Sequence, residues 1–313
     1  MPATPALVIL GPTASGKSAL ALDAAEAFDG TIVNADSMQI YRELPLLTAR
    51  PSAAEEARVP HRLYGVLGAG ETCSAHRWRA LAVAAMEEAA AVGRLPILAG
   101  GTGFYVKAML EGLSPMPEVP DALREGLRAR VERQGPEALH RELAEIDPPA
   151  AARIAPADRQ RIARALEVYE ASGRTLSSWQ AEPPSGPPPG FAFTVIVLAP
   201  PREALVRRIE ERFDAMIAAG ALAELRALLA ADPPADAPLL KAVGAPELAA
   251  AARGQMSLAE AAEAAKIATR QYAKRQTTWL KRQILPDLIL NEQYSEKLME
   301  RVFAFIRDKR LTP

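Results

Sequence analysis

Ala6-Leu7-Val8-Ile9-Leu10 runs directly into Gly11-Pro12-Thr13-Ala14-Ser15-Gly16-Lys17-Ser18, and Ala19-Leu20-Ala21-Leu22 follows. The order is apolar strand, glycine-rich loop, helix, which is the setting a phosphate-binding loop requires. Two glycines with four residues between them let the backbone curl until several N–H groups point at one anion, and the helix adds the positive end of its dipole. Lys17 would reach the bridging and terminal phosphate oxygens, and the Ser18 hydroxyl is placed to hold a magnesium ion. An ordinary glycine turn has no need of a strand before it, a helix after it and Lys-Ser at its end. The motif specifies a phosphate without specifying which phosphate compound.

Working outward, the helix that opens at Ala19 extends to Phe28, and Gly30 closes it before a second strand, Thr31 to Ala35. That strand delivers Asp36 in ADSMQIYREL. Parallel sheets place their working groups just beyond the carboxyl ends of strands, so Asp36 falls where the phosphate loop also points, as a magnesium partner, a base or a turn residue. Leu63 to Leu67 reads as a further short strand, and Ser74 as the N-cap of a long helix from Ala75 to Val92. Leu95 to Ala99 is a buried strand followed at once by Gly100-Gly101-Thr102-Gly103. Glycines there let a ligand approach the backbone, and Thr102 offers one hydroxyl among them.

From Gly112 to Gly190 the composition changes: a proline-marked exit (Leu113 to Pro117), a helical arginine-rich segment, and a proline-rich return (Pro183 to Gly190). Within it Arg161 and Arg164 share a helix face. On spacing alone such a pair most often serves a solvated face or an ion pair with a neighbour such as Glu167, and less often a phosphate contact. Strand signal resumes over Phe193 to Leu198, and a helix through Arg212 runs to Ala219, ended by Gly220. After Pro233 to Pro238 two more helices are expected. The second, Ser257 to Gln283, carries Lys266, Arg270, Lys274, Arg275, Lys281 and Arg282 against Glu260 and Glu263. That stretch suits either a nucleic-acid backbone or a solvated amphipathic face.

The chain has 313 residues, 49% apolar and 24% charged, an ordinary globular balance. A net charge of −1 excludes a surface that coats nucleic acid throughout, while leaving room for a local basic face. One cysteine, Cys73, excludes an internal disulfide framework, and three histidines without a C-x-x-C pattern exclude a zinc site of the usual kind. No basic region precedes a long apolar one at the start, and no apolar run reaches 18 residues. The expectation is a soluble cytoplasmic protein, with no membrane partner.

Taken together, GPTASGKS, DSMQIY (Asp36 to Tyr41), PHRL (Pro60 to Leu63), PILAGGTGFYVKAMLEGLSP (Pro96 to Pro115), RIAPADRQRIARALEVYEASG (Arg153 to Gly173), RIEERFDAMIAAG (Arg208 to Gly220) and TRQYAKRQTTWL (Thr269 to Leu280) resemble the bacterial tRNA dimethylallyltransferases, also called tRNA isopentenyltransferases. The resemblance covers nearly the whole chain. Ser18 stands where threonine is common, and Ala245, in KAVGAPE, where the family usually has tyrosine.

The resemblance implies transfer of a dimethylallyl group from dimethylallyl diphosphate to N6 of the adenosine 3′ to the anticodon, position 37, in tRNAs reading codons that begin with U. Gly11, Pro12, Thr13, Ala14, Ser15, Gly16, Lys17 and Ser18 would then bind the diphosphate, with Mg2+ on Ser18. Asp36 would be the base, Thr102 would hold the amine or the diphosphate in line, and Arg212 would serve the diphosphate. Ser37, Met38 and Gln39 would line the adenine pocket with Asp36 and Thr102. Arg124, Gln160, Arg161, Ile162, Ala163 and Arg164 would meet the tRNA anticodon stem-loop. A P-loop kinase acting through ATP, a nucleotide-gated RNA-binding module and an adenylate isopentenyltransferase using free AMP are the alternatives. The expected fold is α/β: a P-loop NTPase-like core with a parallel sheet flanked by helices, from residues 1–112 and 190–313, and an all-helical tRNA-binding insertion over 113–189. A monomer is expected.

Overall fold

The computed structural model describes residues 3–309. Six strands form one sheet in which every pairing is parallel: β1 (Thr4–Leu10), β2 (Gly30–Asn34), β3 (His61–Arg62), β4 (Leu95–Gly100), β5 (Phe191–Leu198) and β6 (Leu288–Leu290). Their order across the sheet is β3-β2-β4-β1-β5-β6. Strands covered on both faces read as continuous apolar runs, which is why Ala6 to Leu10 is wholly buried and shows no alternation of polar residues. The period of two is still present in what each side chain meets. Ala6, Val8 and Leu10 enter one core with Val33, Leu98, Val195 and Val197, whereas Leu7 and Ile9 enter the other with Ile32, Ile97, Ile196 and Leu198.

The helices are α1 (Lys17–Ala27), α2 (Ala53–Arg58), α3 (Ala75–Ala91), α4 (Gly103–Glu111), α5 (Asp121–Gln134), α6 (Pro136–Ile146), α7 (Pro148–Ala151), α8 (Arg159–Ser172), α9 (Leu176–Gln180), α10 (Arg202–Ala218), α11 (Ala221–Ala230), α12 (Ala245–Ala252), α13 (Leu258–Gln283) and α14 (Glu296–Asp308). Ser74 caps α3 by accepting from the Arg77 N–H, and Ser257 opens α13 in a reciprocal capping box with Glu260. The chain divides into two compact units: residues up to Leu110 together with those from Pro188 onward, and Glu111–Pro187. The second unit holds only helices and closes its own core from Leu127, Val131, Leu139, Leu143, Ile162 and Leu166.

One expectation needs correction, and α11, β6 and α14 lie where no element was expected. The third strand is His61–Arg62 and not Leu63 to Leu67, because Leu63 and Gly65 take positive φ values of 64° and 62° and turn the chain out of the ladder. Leu67 keeps a single bridge, to Tyr41. The helix carrying Arg212 runs to Ala218 with Ala219 as its C-cap, and Gly220, at φ 103°, ends it with an N–H to the Ile217 carbonyl at 3.1 Å; what was not expected is that α11 starts at the next residue. Beyond α13 lie β6 and α14, which apolar patterning at Leu288, Leu290, Leu298, Val302 and Ile306 builds onto the sheet and α1.

Candidate active site

At the carboxyl end of β1 the chain turns through Gly11 to Gly16 and enters α1 at Lys17. Ala14 and Gly16 lie in the left-handed region, at φ 63° and 91°, which curls the loop. Gly16 precedes α1 without a side chain to cap it, so the first N–H groups of the helix stay free for an anion. A Cβ on Gly11 would stand 2.5 Å from the Oγ of the buried Ser15, so the first position is held to glycine by packing. Lys17 folds back toward the Pro12 carbonyl, its Nζ at 3.4 Å, and Ser18 is exposed in the first turn of α1.

Two cations and one carboxylate act on each other here. Burial pulls the Lys17 ammonium from 10.5 down to about 8, Asp36 opposes that fall and Arg212 adds to it. Arg212, on the face of α10 that meets the loop, donates to the Thr13 hydroxyl. Its own value is lowered, by burial first and by Arg208 as well, while Asp36 pulls it back. A pair of crowded, part-desolvated cations gains stability when a dianion arrives, which is the electrostatic condition of a phosphate site.

Beside the loop, the ends of β2 and β4 form a second half-site. Asn34 folds over the turn: its Oδ1 accepts from the Asp36 N–H at 2.8 Å and its Nδ2 donates to the carbonyls of Asp36 at 2.9 Å and Leu63 at 3.0 Å. Asp36 Oδ1 accepts from the Met38 N–H at 2.9 Å. Its Oδ2 turns toward Gly101, 3.6 Å from where a Cβ there would stand. The Thr102 Oγ1 accepts from the Ser37 N–H at 2.9 Å and donates to the Ser37 Oγ at 3.1 Å. A Cβ on Gly100 would lie 2.2 Å from the Ala35 carbonyl, so the two strand ends meet this closely only because that residue is glycine. The structure thus brings the loop, Lys17, Arg212, Asp36, Ser37 and Thr102 together at one end of the sheet.

Other expected site residues are placed differently. Gln39 is tied down, its Nε2 donating to Thr48 and Ala49 carbonyls at 2.8 Å, and Met38 packs against the core. In the helical unit Gln160 is exposed, Arg161 pairs with Asp158 at 3.2 Å, Arg164 with Glu167 at 3.3 Å and Arg124 with Asp121 at 2.9 Å. Ile162 and Ala163 are buried in that unit's core, so their side chains hold α8 in place and present nothing to a partner. Ala245 is buried too, in the first turn of α12.

Four residues outside the expected set shape the site. Gln276 on α13 is 7% exposed; its Oε1 accepts from the Thr13 N–H at 2.8 Å and its Nε2 donates to the Gly101 carbonyl at 2.9 Å. Trp279 lies where a Cβ on Gly103 would be, 2.2 Å from ring carbons. Gln293 Nε2 donates to the Ser15 carbonyl at 3.0 Å, while the neighbouring Tyr294 backs onto Gly16 and bonds Asp23 through its hydroxyl. The usable signal was an amide on the buried face of a helix: the buried positions of α13 run Ala261, Ala265, Lys266, Thr269, Ala273, Gln276, Leu280, and of the polar ones Lys266 is paired with Asp214 and Glu263 and Thr269 bonds its own helix, whereas Gln276 bonds other elements.

Among the described residues no group of three or more His, Cys, Asp or Glu stands together to hold a metal. One exposed hydroxyl, with an aspartate whose charge reaches Lys17, suits a magnesium ion carried by the substrate's own phosphates and not a protein-built cage. No helix among the described residues is long and apolar enough to cross a membrane.

Fold and site together define a P-loop NTPase-like α/β protein whose candidate phosphate loop lies at the carboxyl ends of its strands. The profile of the IPP transferase family matches residues 39–283. A tRNA dimethylallyltransferase of Rhodospirillum rubrum is 51% identical over 296 residues, 95% of this chain and 91% of that one. Among solved structures, a tRNA isopentenylpyrophosphate transferase of Bacillus halodurans superposes with a TM-score of 0.70 at 31% identity, over 98% of this chain and 96% of its own. A eukaryotic dimethylallyltransferase acting on tRNA reaches 0.81 at 26% identity, over 99% of this chain and 80% of its own. The chain belongs to the IPP transferase family.

Proposed function

We propose that this chain is a tRNA dimethylallyltransferase. It moves the dimethylallyl group of dimethylallyl diphosphate onto N6 of the adenosine 3′ to the anticodon and releases diphosphate. The observation that carries the reading is the convergence of a cationic phosphate loop with Asp36 and Thr102 at one end of the sheet. The allylic C–O bond breaks with its electron pair leaving on the diphosphate, the N6–C bond forms, and one N6 proton must go to a base. Lys17, Arg212 and the loop N–H groups hold the leaving group as its charge grows. Asp36 takes the proton through Oδ2, since Oδ1 is occupied by the Met38 N–H. Thr102, fixed by Ser37, aligns the amine. Magnesium on Ser18, when bound, adds positive charge to the departing diphosphate. An adenine reaches such a site only by leaving its stack, as the flipped base of a single-stranded loop.

The rest of the tRNA has two basic surfaces to meet. On α13, Lys266 and Arg270 are engaged by Asp214, Glu263 and Glu210, whereas Lys274, Arg275, Lys281 and Arg282 are exposed beyond them. On α8 and α5, Gln160, Arg161, Arg164 and Arg124 supply the second surface, their surface ion pairs being weak enough to open for phosphate. The test supplies unmodified tRNA, free AMP and magnesium with either labelled dimethylallyl diphosphate or γ-labelled ATP. Prenyl label on tRNA is expected; label moving only from ATP, or only to free AMP, refutes the reading.

A further inference from the structure

Resting on the function proposed above, we infer that Gln276 is a positioning residue for the reaction: it locks the phosphate loop and the Gly100–Gly103 turn into one register, so that the diphosphate's reacting carbon and the amine held at Asp36 and Thr102 stand in line. Both ends of its amide are used. The carbonyl takes the Thr13 N–H at 2.8 Å, inside the phosphate loop, and the amino group reaches the Gly101 carbonyl at 2.9 Å, next to Thr102. The side chain is buried, and its neighbour on the turn has been reduced to make room: a Cβ on Gly101 would stand 2.5 Å from Nε2. A residue needed only to fill this space would be apolar, since burying an amide is favourable only when its hydrogen bonds are made.

The amide's hydrogen bonds go to Thr13 and Gly101, and neither goes to Asp36 or Thr102. Its effect must therefore pass through Thr13 and Gly101, the residues it holds. Alignment of this kind is worth much in rate and little in binding: a displacement of about 1 Å between reacting groups costs roughly a hundredfold in rate. Gln276→Met keeps the length and volume of the side chain and removes both hydrogen bonds. Single-turnover transfer is expected to fall about 10- to 100-fold, while the dissociation constants for pyrophosphate and for unmodified tRNA, each measured alone, stay within about threefold. An unchanged rate overturns the inference, and so does a rate loss matched by an equal loss of pyrophosphate affinity, which would make Gln276 part of the loop's binding surface.

A second measurement uses the unaltered protein. The Thr102 N–H donates to the Ala35 carbonyl at 3.2 Å and reports on the turn. Pyrophosphate with magnesium is expected to slow hydrogen exchange at Gly101 to Phe104 as well as in the loop, and to lose that distant effect in Gln276→Met. No response of the turn in the unaltered protein, or an undiminished one in the variant, overturns the inference. Exchange is read without any prenyl transfer, so an unaltered protein that binds pyrophosphate and leaves tRNA unmodified refutes the proposed activity alone.

Discussion

Replacing Lys17 by methionine separates what the phosphate loop needs for its ligand from what it imposes on the ligand-free protein. Burial moves the ammonium from 10.5 to about 8, which at face value is about 3 kcal/mol against the charged form. The residue is only half-buried, and solvent screening reduces the expected cost to about 1–2 kcal/mol. The sign follows from a folded value below the unfolded one. Below about pH 8 the lysine is charged in both states and the native state bears the full penalty. Between about 8 and 10.5 the native state sheds its proton first, and the penalty disappears. Lys17→Met should therefore be more stable than its parent at pH 7, with Tm raised by roughly 2–5 °C for a chain of this size. The advantage should shrink toward pH 10, and pyrophosphate binding should be lost. Thermal unfolding of the ligand-free proteins at pH 7 and pH 10, with calorimetric titration of pyrophosphate, measures all three. A variant less stable at pH 7, or an advantage that grows with pH, refutes the reasoning.

Asp36→Asn keeps the size and one hydrogen-bond acceptor but loses the base, so single-turnover transfer should fall by about 10²- to 10⁴-fold with both substrates still bound. Repair of that rate by added magnesium would assign Asp36 to the metal instead. Arg161→Ala combined with Arg164→Ala should weaken tRNA binding by roughly 1–3 kcal/mol and flatten its salt dependence, leaving pyrophosphate binding alone; unchanged tRNA affinity and salt slope in a filter-binding assay would remove α8 from the interface. Gly100→Ala places a Cβ 2.2 Å from the Ala35 carbonyl, and urea unfolding should show a loss of about 1–3 kcal/mol. Unaltered stability would mean that the two strand ends separate freely.

What the sequence made readable was what lies close together in it. The loop Gly11 to Ser18 follows its strand and precedes its helix without a gap, so one window carries the whole signal, and Asp36 and the Gly100–Gly103 turn are found the same way, as the residues just after apolar runs. Gln276 meets Thr13 across 263 positions, and no local pattern encodes that pairing. Helix α11 was hidden because Gly220 does both jobs, its N–H closing α10 on Ile217 and its carbonyl opening α11 with Glu224, so a glycine read as a stop concealed the helix that starts at it. At Ile162 and Ala163 motif spacing could not tell side chains that face a partner from those that hold the helix, and burial separates them from Arg161 and Arg164.

The contact of Gln293 and Tyr294 with the phosphate loop bears on how the protein is made. Ser15 waits 278 positions for Gln293, which at about 5–20 residues per second is roughly 14–56 s of synthesis. During that interval β1 has β4 on one side, but β5 arrives only after the helical unit has been translated. The helical unit closes its core among residues 123–176 and meets no such delay. A ribosome-bound chain stopped short of Gln293 thus carries the complete GPTASGKS motif without the outer wall that shapes it. Its affinity for pyrophosphate should appear late and abruptly along the series of chain lengths, so that incomplete chains do not hold the diphosphate substrate.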